Sequence, residues 1–298
     1  MTKKALVTGH EGFAGRHFRR ALDAAGWTTY GIDLTAEAGW EQGDARELFL
    51  RDTTYFDLVV HCAAVVGGRA TIDGAPLALA SNLELDVCLF QWALRTRPGR
   101  VIYVSSSAAY PNWMQTIERS EKMQERFIDP ALGRNMFGVP DQLYGWAKLT
   151  GENLAHRARQ EGLAVTVIRP FSGYGEDQDP SYPFAAFASR ARHRVAPFPV
   201  WGNPDQCRDF IHIDDITVAT LLMLSEGIDG PVNLGTGRAV SMAQLAQMFC
   251  AAAGYDPELS IVKDAPMGVE YRVADVTRLH EFYTPKVTLE EGIRRALA

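Results

Sequence analysis

The stretch KKALVTGHEGFAGRHFRRAL, residues 3–22, decides the fold predicted for this chain. Residues 5–7 are typical of a short buried strand, and residues 13–22 carry apolar side chains at helical spacing. Three glycines mark the junction between the two segments: Gly9, Gly12 and Gly15. Glycines at a strand-to-helix turn let the backbone bend sharply and approach a ligand closely. The helix that follows points unpaired N–H groups at that ligand, which suits a phosphate.

One acidic residue indicates which ligand this turn binds. The next apolar strand, residues 28–32, is followed by Asp33, about 20 residues after the glycines, where dinucleotide-binding units place a carboxylate that binds ribose hydroxyls. A carboxylate there repels a 2′-phosphate, no Arg or Lys follows at once, and Glu11 adds negative charge to the turn. The spacing G-x-x-G-x-x-G is by itself a weak signal. Together with Asp33, it predicts a site for NAD rather than NADP.

Composition excludes several classes of partner. The chain has 298 residues, 47% of them hydrophobic, a net charge of −6 and a pI near 5.7, so no basic surface for nucleic acid is expected. No apolar run reaches membrane-spanning length. The four cysteines are scattered without metal-ligand spacing, so we expect no metal site. The first residues enter a strand directly, so we expect no signal peptide and a cytoplasmic location.

Alternating strands and helices predict an α/β fold. Five continuous apolar runs separated by helical patterns imply strands covered on both faces, hence a Rossmann-type doubly wound parallel sheet. After Arg169 the pattern changes to a polar loop and short elements, which predicts a smaller C-terminal α/β substrate lobe. We expect the NAD-binding domain to comprise residues 1–169 plus about 212–238, and the nucleotide-sugar lobe about 170–211 and 239–298. Residues 231–235 look like a further strand that returns to the main sheet.

Two segments carry candidate catalytic residues. VIYVSSSAAYP places three serines at the end of a predicted strand, and LYGWAKLTGENLAH places Tyr144 and Lys148 four residues apart on a helix. Residues at this spacing share a helical face, and a neighbouring cation stabilises phenolate, so we expect the pKa of Tyr144 to be lowered. Tyr144 could then act as a general acid/base on a hydroxyl or ketone. Taken alone, the same spacing is also common on solvated helix faces.

Five motifs, in this order and at these intervals, resemble the extended short-chain dehydrogenase/reductase family. They are TGHEGFAG, Asp33, HCAA, SSSAAYP and YGWAK. The resemblance covers essentially the whole chain and implies an NAD(P)-dependent enzyme that acts on nucleotide sugars. HCAAVVGG, PVWGNPDQCRDFIHIDD and RVADVTRLHEFY particularly resemble the GDP-fucose synthase and GDP-mannose 3,5-epimerase families.

The resemblance implies three sets of site residues. The catalytic set is Ser106, Tyr144 and Lys148. The cofactor set is Gly9, Gly12, Phe13, Gly15, Asp33, Ala63, Ala64, Asn82 and again Lys148. The substrate set is Gly67, Gly68, Ser107, Ser172, Trp201, Arg208 and Arg272. Forked guanidinium donors suit a diphosphate, whereas Trp201 could equally be a packed hinge aromatic.

The chain departs from these families where a second acid/base is needed. The 3,5-epimerising relatives have a cysteine at the position of Ala108 and a His or Lys in the loop after Tyr174-Gly175, which here reads Glu-Asp-Gln-Asp. The 4,6-dehydratases need an Asp-Glu pair, and the sugar-acid decarboxylases a Glu, where this chain has Ser107-Ala108. The remaining groups suffice for hydride transfer at one carbon. We therefore expect an NAD-dependent nucleotide-sugar epimerase, with a GDP-sugar favoured.

Three alternatives stay open. The first is a GDP-sugar 3,5-epimerase in which Asp177 or another group supplies the base. The second is a 4-keto reductase or dehydrogenase of the same family. The third, from another class, is a non-catalytic NAD-binding regulator, against which the intact catalytic set argues. In this family the Tyr/Lys helix and the helix before it commonly form a four-helix interface, and residues 82–95 are apolar nearly all round, so we also expect a homodimer.

Overall fold

A six-stranded parallel sheet forms the centre of the computed structural model, which describes residues 2–36, 41–67, 74, 76–132, 138–265 and 267–298. Within these residues the strands are β1 (Lys4–Thr8), β2 (Thr28–Ile32), β3 (Leu58–His61), β4 (Val101–Val104), β5 (Val165–Pro170), β6 (Ser172–Tyr174), β7 (Phe198–Trp201), β8 (Cys207–Arg208), β9 (Phe210–His212), β10 (Val232–Leu234), β11 (Val240–Ser241), β12 (Leu259–Val262) and β13 (Tyr271–Arg272). The helices are α1 (Phe13–Ala24), α2 (Ala45–Arg51), α3 (Pro76–Thr96), α4 (Gln142–Gln160), α5 (Pro183–Arg192), α6 (Ile213–Glu226), α7 (Met242–Ala252), α8 (Thr277–His280) and α9 (Leu289–Leu297).

The strand order of the central sheet confirms the predicted fold class. The order is β10-β5-β4-β3-β1-β2, and every neighbouring pair is parallel. The chain winds outward from β1 in both directions, so the carboxyl ends of β1 and β3 flank the point where the winding reverses. Ligands of such sheets bind in the crevice at this point. The strand predicted at residues 231–235 is β10, which lies at the edge beside β5.

The sheet is covered on both faces because its strands are apolar on both. Leu6 and Val59 face a core formed with α2, α3 and α4, in which Trp92 is fully buried. Val7 and Val60 face the opposite core, to which α1 and α6 contribute. Side chains alternate between the two faces of a strand, so one continuous apolar run serves both cores. This is the arrangement that the unbroken apolar runs predicted.

A third core lies among the C-terminal elements. Strand β7 and helices α5, α7 and α9 pack their apolar faces together, with Phe184, Phe198, Phe249 and Ile293 almost fully buried. Three small sheets accompany it, with the orders β11-β8-β13, β12-β7 and β6-β9. Ser241 caps the N-terminus of helix α7 and forms a capping box with Gln244. The predicted division into two lobes, with its boundaries, stays a prediction.

The helices of the described residues include none that is both long and apolar enough to cross a membrane.

Candidate active site

A cavity of about 660 Å³ lies at the carboxyl ends of the central strands. Most of the residues proposed from the sequence line it: Gly9, Gly12, Phe13, Gly15, Asp33, Ala63, Ala64, Gly67, Asn82, Ser106, Ser107, Tyr144, Lys148, Ser172, Arg208 and Arg272. Trp201 is not among the lining residues, and Gly68 lies outside the described residues. The fold therefore brings the three proposed sets of side chains to one crevice.

The glycine turn is shaped for a ligand that approaches its backbone. Gly9 has φ +67°, and a Cβ there would lie 2.7 Å from the backbone of Ala63. A Cβ on Gly15 would lie 2.0 Å from the carbonyl oxygen of Gly9. Helix α1 begins after Gly12 without a side-chain cap, so its first N–H groups are available to a ligand. These features fit the pyrophosphate of a dinucleotide, which needs close backbone approach and a helix N-terminus.

Asp33 holds a fixed carboxylate beside this turn. Its Oδ2 accepts a hydrogen bond from the Glu11 N–H at 3.0 Å, and its Oδ1 accepts from the N–H and hydroxyl of Thr35, each at 2.9 Å. Burial would raise the pKa of Asp33, but the bonds from Thr35 and Glu11 outweigh it and hold the pKa below its ordinary value. The carboxylate is therefore an ionised acceptor, as ribose hydroxyls require.

Sequence reasoning missed two residues at this end of the cavity. Asp44 and Arg46 also line it, and Asp44 caps helix α2 by accepting from the Arg46 N–H. The guanidinium of Arg46 forms ion pairs with Asp44 and with Glu84. Arg46 is a cation that could receive a 2′-phosphate, but two carboxylates already neutralise it. The only sequence signal was the Asp at a helix N-cap.

Asn82 lines the cavity and is hydrogen-bonded at both ends of its amide to the backbone beside it. Its Oδ1 accepts from the Val65 N–H at 2.7 Å, and its Nδ2 donates to the Val65 carbonyl oxygen at 2.9 Å. Because both ends of the amide are engaged, Asn82 acts in this structure by fixing the loop that contains Ala63 and Ala64.

Ser106, Tyr144 and Lys148 meet where β4 ends against α4. The ammonium of Lys148 is 5.9 Å from the centroid of the Tyr144 ring and donates a hydrogen bond to the Val104 carbonyl oxygen at 2.9 Å. Ser106 lies two residues beyond Val104, and its hydroxyl is near enough to the phenol of Tyr144 to lower the pKa of that phenol. The predicted catalytic residues are therefore adjacent, and a hydroxyl, a phenol and an ammonium face one cavity.

The expectation of a lowered pKa for Tyr144 is wrong. Burial raises the pKa of Tyr144 above its ordinary value, and the hydrogen bond with Ser106 opposes this rise only in part. Burial likewise lowers the pKa of Lys148. Spacing in the sequence showed that the two groups are neighbours, but it carried no information on how far both are removed from water, which penalises each charged form.

Asp177 and Asp179 are the acidic residues of the loop after Tyr174-Gly175, where a second base was sought. Neither is among the residues that line the cavity. The carboxylate of Asp177 points to α1, where it accepts from Arg16 Nε at 2.7 Å and lies 3.0 Å from His17 Nε2. Burial would raise the pKa of Asp177, but Arg16 and His17 outweigh it and hold the pKa below its ordinary value. A 3,5-epimerase that uses Asp177 as its base is therefore not supported.

Two arginines from the C-terminal elements form the far wall. Strands β8 and β13 are paired in register, which places Arg208 and Arg272 side by side. Arg272 donates from Nε to Gln115 and from Nη2 to the Asp141 carboxylate at 2.9 Å. Asp141 is buried, lines the cavity and stands one turn before Tyr144, yet no motif singled it out.

Trp201, proposed from the sequence as a substrate residue, lies outside the cavity lining. It is 54% exposed, and its ring stacks under the guanidinium of Arg190.

No group of three or more His, Cys, Asp or Glu side chains in the described ranges is arranged to hold a metal ion.

Comparison with known proteins places this site in a family context. Residues 5–235 match the model of the NAD dependent epimerase/dehydratase family. The chain is 29% identical to a putative GDP-L-fucose synthase 2 of Oryza sativa subsp. japonica, covering 98% of this chain and 85% of that protein. It is 27% identical to GDP-mannose 3,5-epimerase 1 of Oryza sativa subsp. indica, covering 97% and 79%. The UDP-glucose 4-epimerase of Thermus thermophilus, solved with NAD, shares the fold with a TM-score of 0.82 at 23% identity, covering 99% and 97%.

Proposed function

Because the chain belongs to the NAD dependent epimerase/dehydratase family, and is therefore an NAD-dependent enzyme, we propose that it epimerises a nucleotide sugar by transient oxidation of one sugar hydroxyl. The observation that carries this proposal is the set of side chains that line the cavity. Ser106, Tyr144 and Lys148 line it together with the glycine turn, and Ala108, at the position where the 3,5-epimerising families carry a cysteine, offers no second acid/base. This set can exchange the proton of one sugar hydroxyl, but it offers no base to remove a proton from carbon.

Separate residues would bind the cofactor and transfer the proton. Gly9 and the start of α1 would hold the pyrophosphate of NAD, and Asp33 its adenosine ribose. Bound there, NAD supplies the capacity to accept a hydride from the sugar carbon and to return it. Tyr144 as phenolate takes the proton of the sugar hydroxyl and later gives it back, while Ser106 donates a hydrogen bond to the same oxygen. Lys148 supports the phenolate with its positive charge.

Arg208 and Arg272 would bind the diphosphate of the nucleotide sugar. Arg208 and Arg272 are adjacent on paired strands, and guanidinium groups bind phosphate oxygens in a forked geometry. The sequence motifs favour a GDP-sugar, and two relatives are named for GDP-sugar chemistry. A UDP-sugar is the alternative, because a UDP-glucose 4-epimerase shares the fold.

A reductase is the second candidate within the family. The observation that favours it is the likeness to a GDP-L-fucose synthase over almost the whole chain, together with a cavity whose catalytic groups would serve either reaction. A reductase releases its product after one hydride transfer, so it consumes one NADH for each sugar converted. An epimerase consumes none.

A panel of GDP- and UDP-sugars tests the proposal. Each sugar is incubated with the NAD-loaded enzyme, and the sugar ring is followed by proton NMR while the absorbance of NADH is recorded. Inversion of one ring carbon with no net change in NADH is the expected result for one nucleotide series. A stoichiometric gain of NADH would assign the enzyme to the dehydrogenases instead. Loss of NADH in a parallel assay supplied with NADH and a 4-keto nucleotide sugar would assign it to the reductases, and the Tyr144→Phe variant gives the baseline for both assays.

A further inference from the structure

The ammonium of Lys148 is buried, and the groups around it decide whether it keeps its charge. Lys148 is only 3% exposed, and its Nζ lies 5.3 Å from the centroid of the Tyr103 ring. Its hydrogen bond goes to the neutral Val104 carbonyl oxygen, and no carboxylate of the described residues hydrogen-bonds it. A charge removed from water needs a counter-charge, or the group becomes neutral. The question is which carboxylate provides it.

Glu152 is near, but its charge is already balanced. It lies one turn further along α4, and its two carboxylate oxygens accept from the Nε and Nη2 atoms of Arg169. Ser105 donates a further hydrogen bond to Glu152. Both members of the pair are fully buried, so Glu152 and Arg169 together carry no net charge.

Asp86 on α3 is the nearby carboxylate whose negative charge is not balanced by an arginine. It is 1% exposed, its Oδ2 accepts from the Tyr103 hydroxyl at 2.6 Å, and its Oδ1 lies 3.4 Å from Nε2 of His61. Burial lowers the pKa of His61, so the imidazole is neutral, and Thr8 lies 2.9 Å from its Nδ1. Since both partners of Asp86 are neutral, its negative charge is free to balance a cation nearby.

Tyr103 connects the two charges. Lys148 lies over its ring, and its hydroxyl donates to Asp86. The backbone of α4 leaves room for this pair, because a Cβ on Gly151 would lie 1.8 Å from the Tyr103 hydroxyl and 2.6 Å from Asp86 Oδ2. The packing of α3 against α4 thus reserves space for a carboxylate and a phenol directly beside the catalytic lysine.

We propose that Asp86 is a positioning residue that keeps Lys148 protonated within the water-poor site and so sets the pH range in which Lys148 and Tyr144 work. The inference rests on the proposed function only for the roles of those two residues. It adds the buried charge balance that allows Lys148 to be a cation: Glu152 is paired with Arg169, and Asp86 compensates the charge of Lys148.

The groups around Lys148 and Tyr144 determine in which direction their pKa values change when the charge of Asp86 is removed. For Lys148, burial lowers the pKa, and Asp86 is the largest opposing influence, ahead of Cys62 and Glu152. For Tyr144, burial raises the pKa, the Ser106 bond opposes it, Asp86 raises it further and Arg272 lowers it. Removing the charge of Asp86 therefore lowers the pKa of both catalytic groups.

The test is Asp86→Asn, which keeps the shape and an acceptor for Tyr103 but removes the charge. Lysine labelled at Cε is followed by NMR in the NAD-loaded protein, which has only six lysines, and Lys148→Met assigns the signal. We expect the titration of Lys148 to move down by about one pH unit or more. The tyrosinate absorbance of Tyr144, obtained by difference from Tyr144→Phe, should move in the same direction. Neither readout needs turnover, so it remains interpretable if no nucleotide sugar reacts.

Asp215→Asn is the matched control. Asp215 is also 1% exposed and also accepts from a tyrosine hydroxyl, that of Tyr283, but it does not line the cavity. It should lower the melting temperature without moving either titration. An unchanged or raised titration of Lys148 in Asp86→Asn, or an equal shift in Asp215→Asn, would overturn the proposal. Asp86→Thr, which is neutral and slightly smaller, repeats the test if Asp86→Asn does not fold.

Discussion

Burial of the Tyr144 phenol determines how its proton is exchanged. Since burial raises its pKa, the phenolate is a minor form at neutral pH, and the Ser106 hydrogen bond recovers only part of it. Where the phenolate is required, the rate of sugar oxidation should rise with pH until Tyr144 is ionised.

Replacing Tyr144 by Phe tests its role as the proton acceptor. The ring and its packing survive, but the hydroxyl that exchanges the proton is lost, so turnover should fall by about 10²–10⁴-fold. Binding of NAD, measured by calorimetry, should change little because the glycine turn and Asp33 are untouched. Lys148→Met should reduce both turnover and NAD binding. Residual activity of Tyr144→Phe within tenfold of the parent would show that another group takes the proton.

Asp33 makes a second prediction at this scale. Its ionised carboxylate should reject a 2′-phosphate, so NAD(H) should bind at least tenfold more tightly than NADP(H), a difference of about 1.4 kcal/mol. Titration of the protein with each cofactor measures this directly. In Asp33→Asn the preference should narrow, because the charge is lost while the shape remains. Equal binding of the two cofactors by the parent protein would contradict the assignment of Asp33 to the ribose.

Single residues also show what the sequence could and could not predict. Gly9, Asp33, Tyr144 and Lys148 were predictable because each belongs to a local pattern, a turn, a strand end or a helix face. Asp141 was not, because its place in the cavity depends on the ion pair with Arg272, far away in the chain.

At the scale of elements, α3 and α4 carry the expectation of a homodimer. The apolar residues counted on residues 82–95 are largely needed inside the molecule, since Leu89, Phe90 and Trp92 are buried in the core. The sequence could not separate core from interface, because both require apolar side chains. Among the described residues, the large apolar side chains that stay exposed on these helices are Leu77, which is 82% exposed, and Val87, Leu143 and Trp146, which are 36–42% exposed.

Trp146 provides the test of the dimer. If α3 and α4 pair with the same helices of a second copy, Trp146 lies in that interface, and Trp146→Glu should convert a dimer to a monomer in light scattering at micromolar concentration. Leu50→Glu, at an exposed apolar position on α2, is the matched control and should leave the dimer intact. A parent protein that is already monomeric at this concentration would refute the prediction.

At the scale of the whole molecule, the site is assembled from distant parts of the chain. The glycine turn and the Tyr/Lys helix come from the first 160 residues, whereas Arg208 and Arg272 reach the cavity on the paired strands β8 and β13. The parallel sheet was predictable because unbroken apolar strands require cover on both faces. The small sheets were not, since strands of two or three residues leave no periodic pattern to read.

The central claim, that chemistry occurs by hydride transfer at a single carbon, is tested most directly by isotope exchange. The NAD-loaded enzyme is given its nucleotide sugar in D2O, and the carbon-bound deuterium of the recovered sugar is measured by NMR and mass spectrometry. A hydride that leaves and returns within the cavity never meets solvent, so the epimerised sugar should carry no carbon-bound deuterium. Deuterium at C3 or C5 would contradict the account, because it requires a base that removes a proton from carbon, and Asp141 would then be the first residue to test.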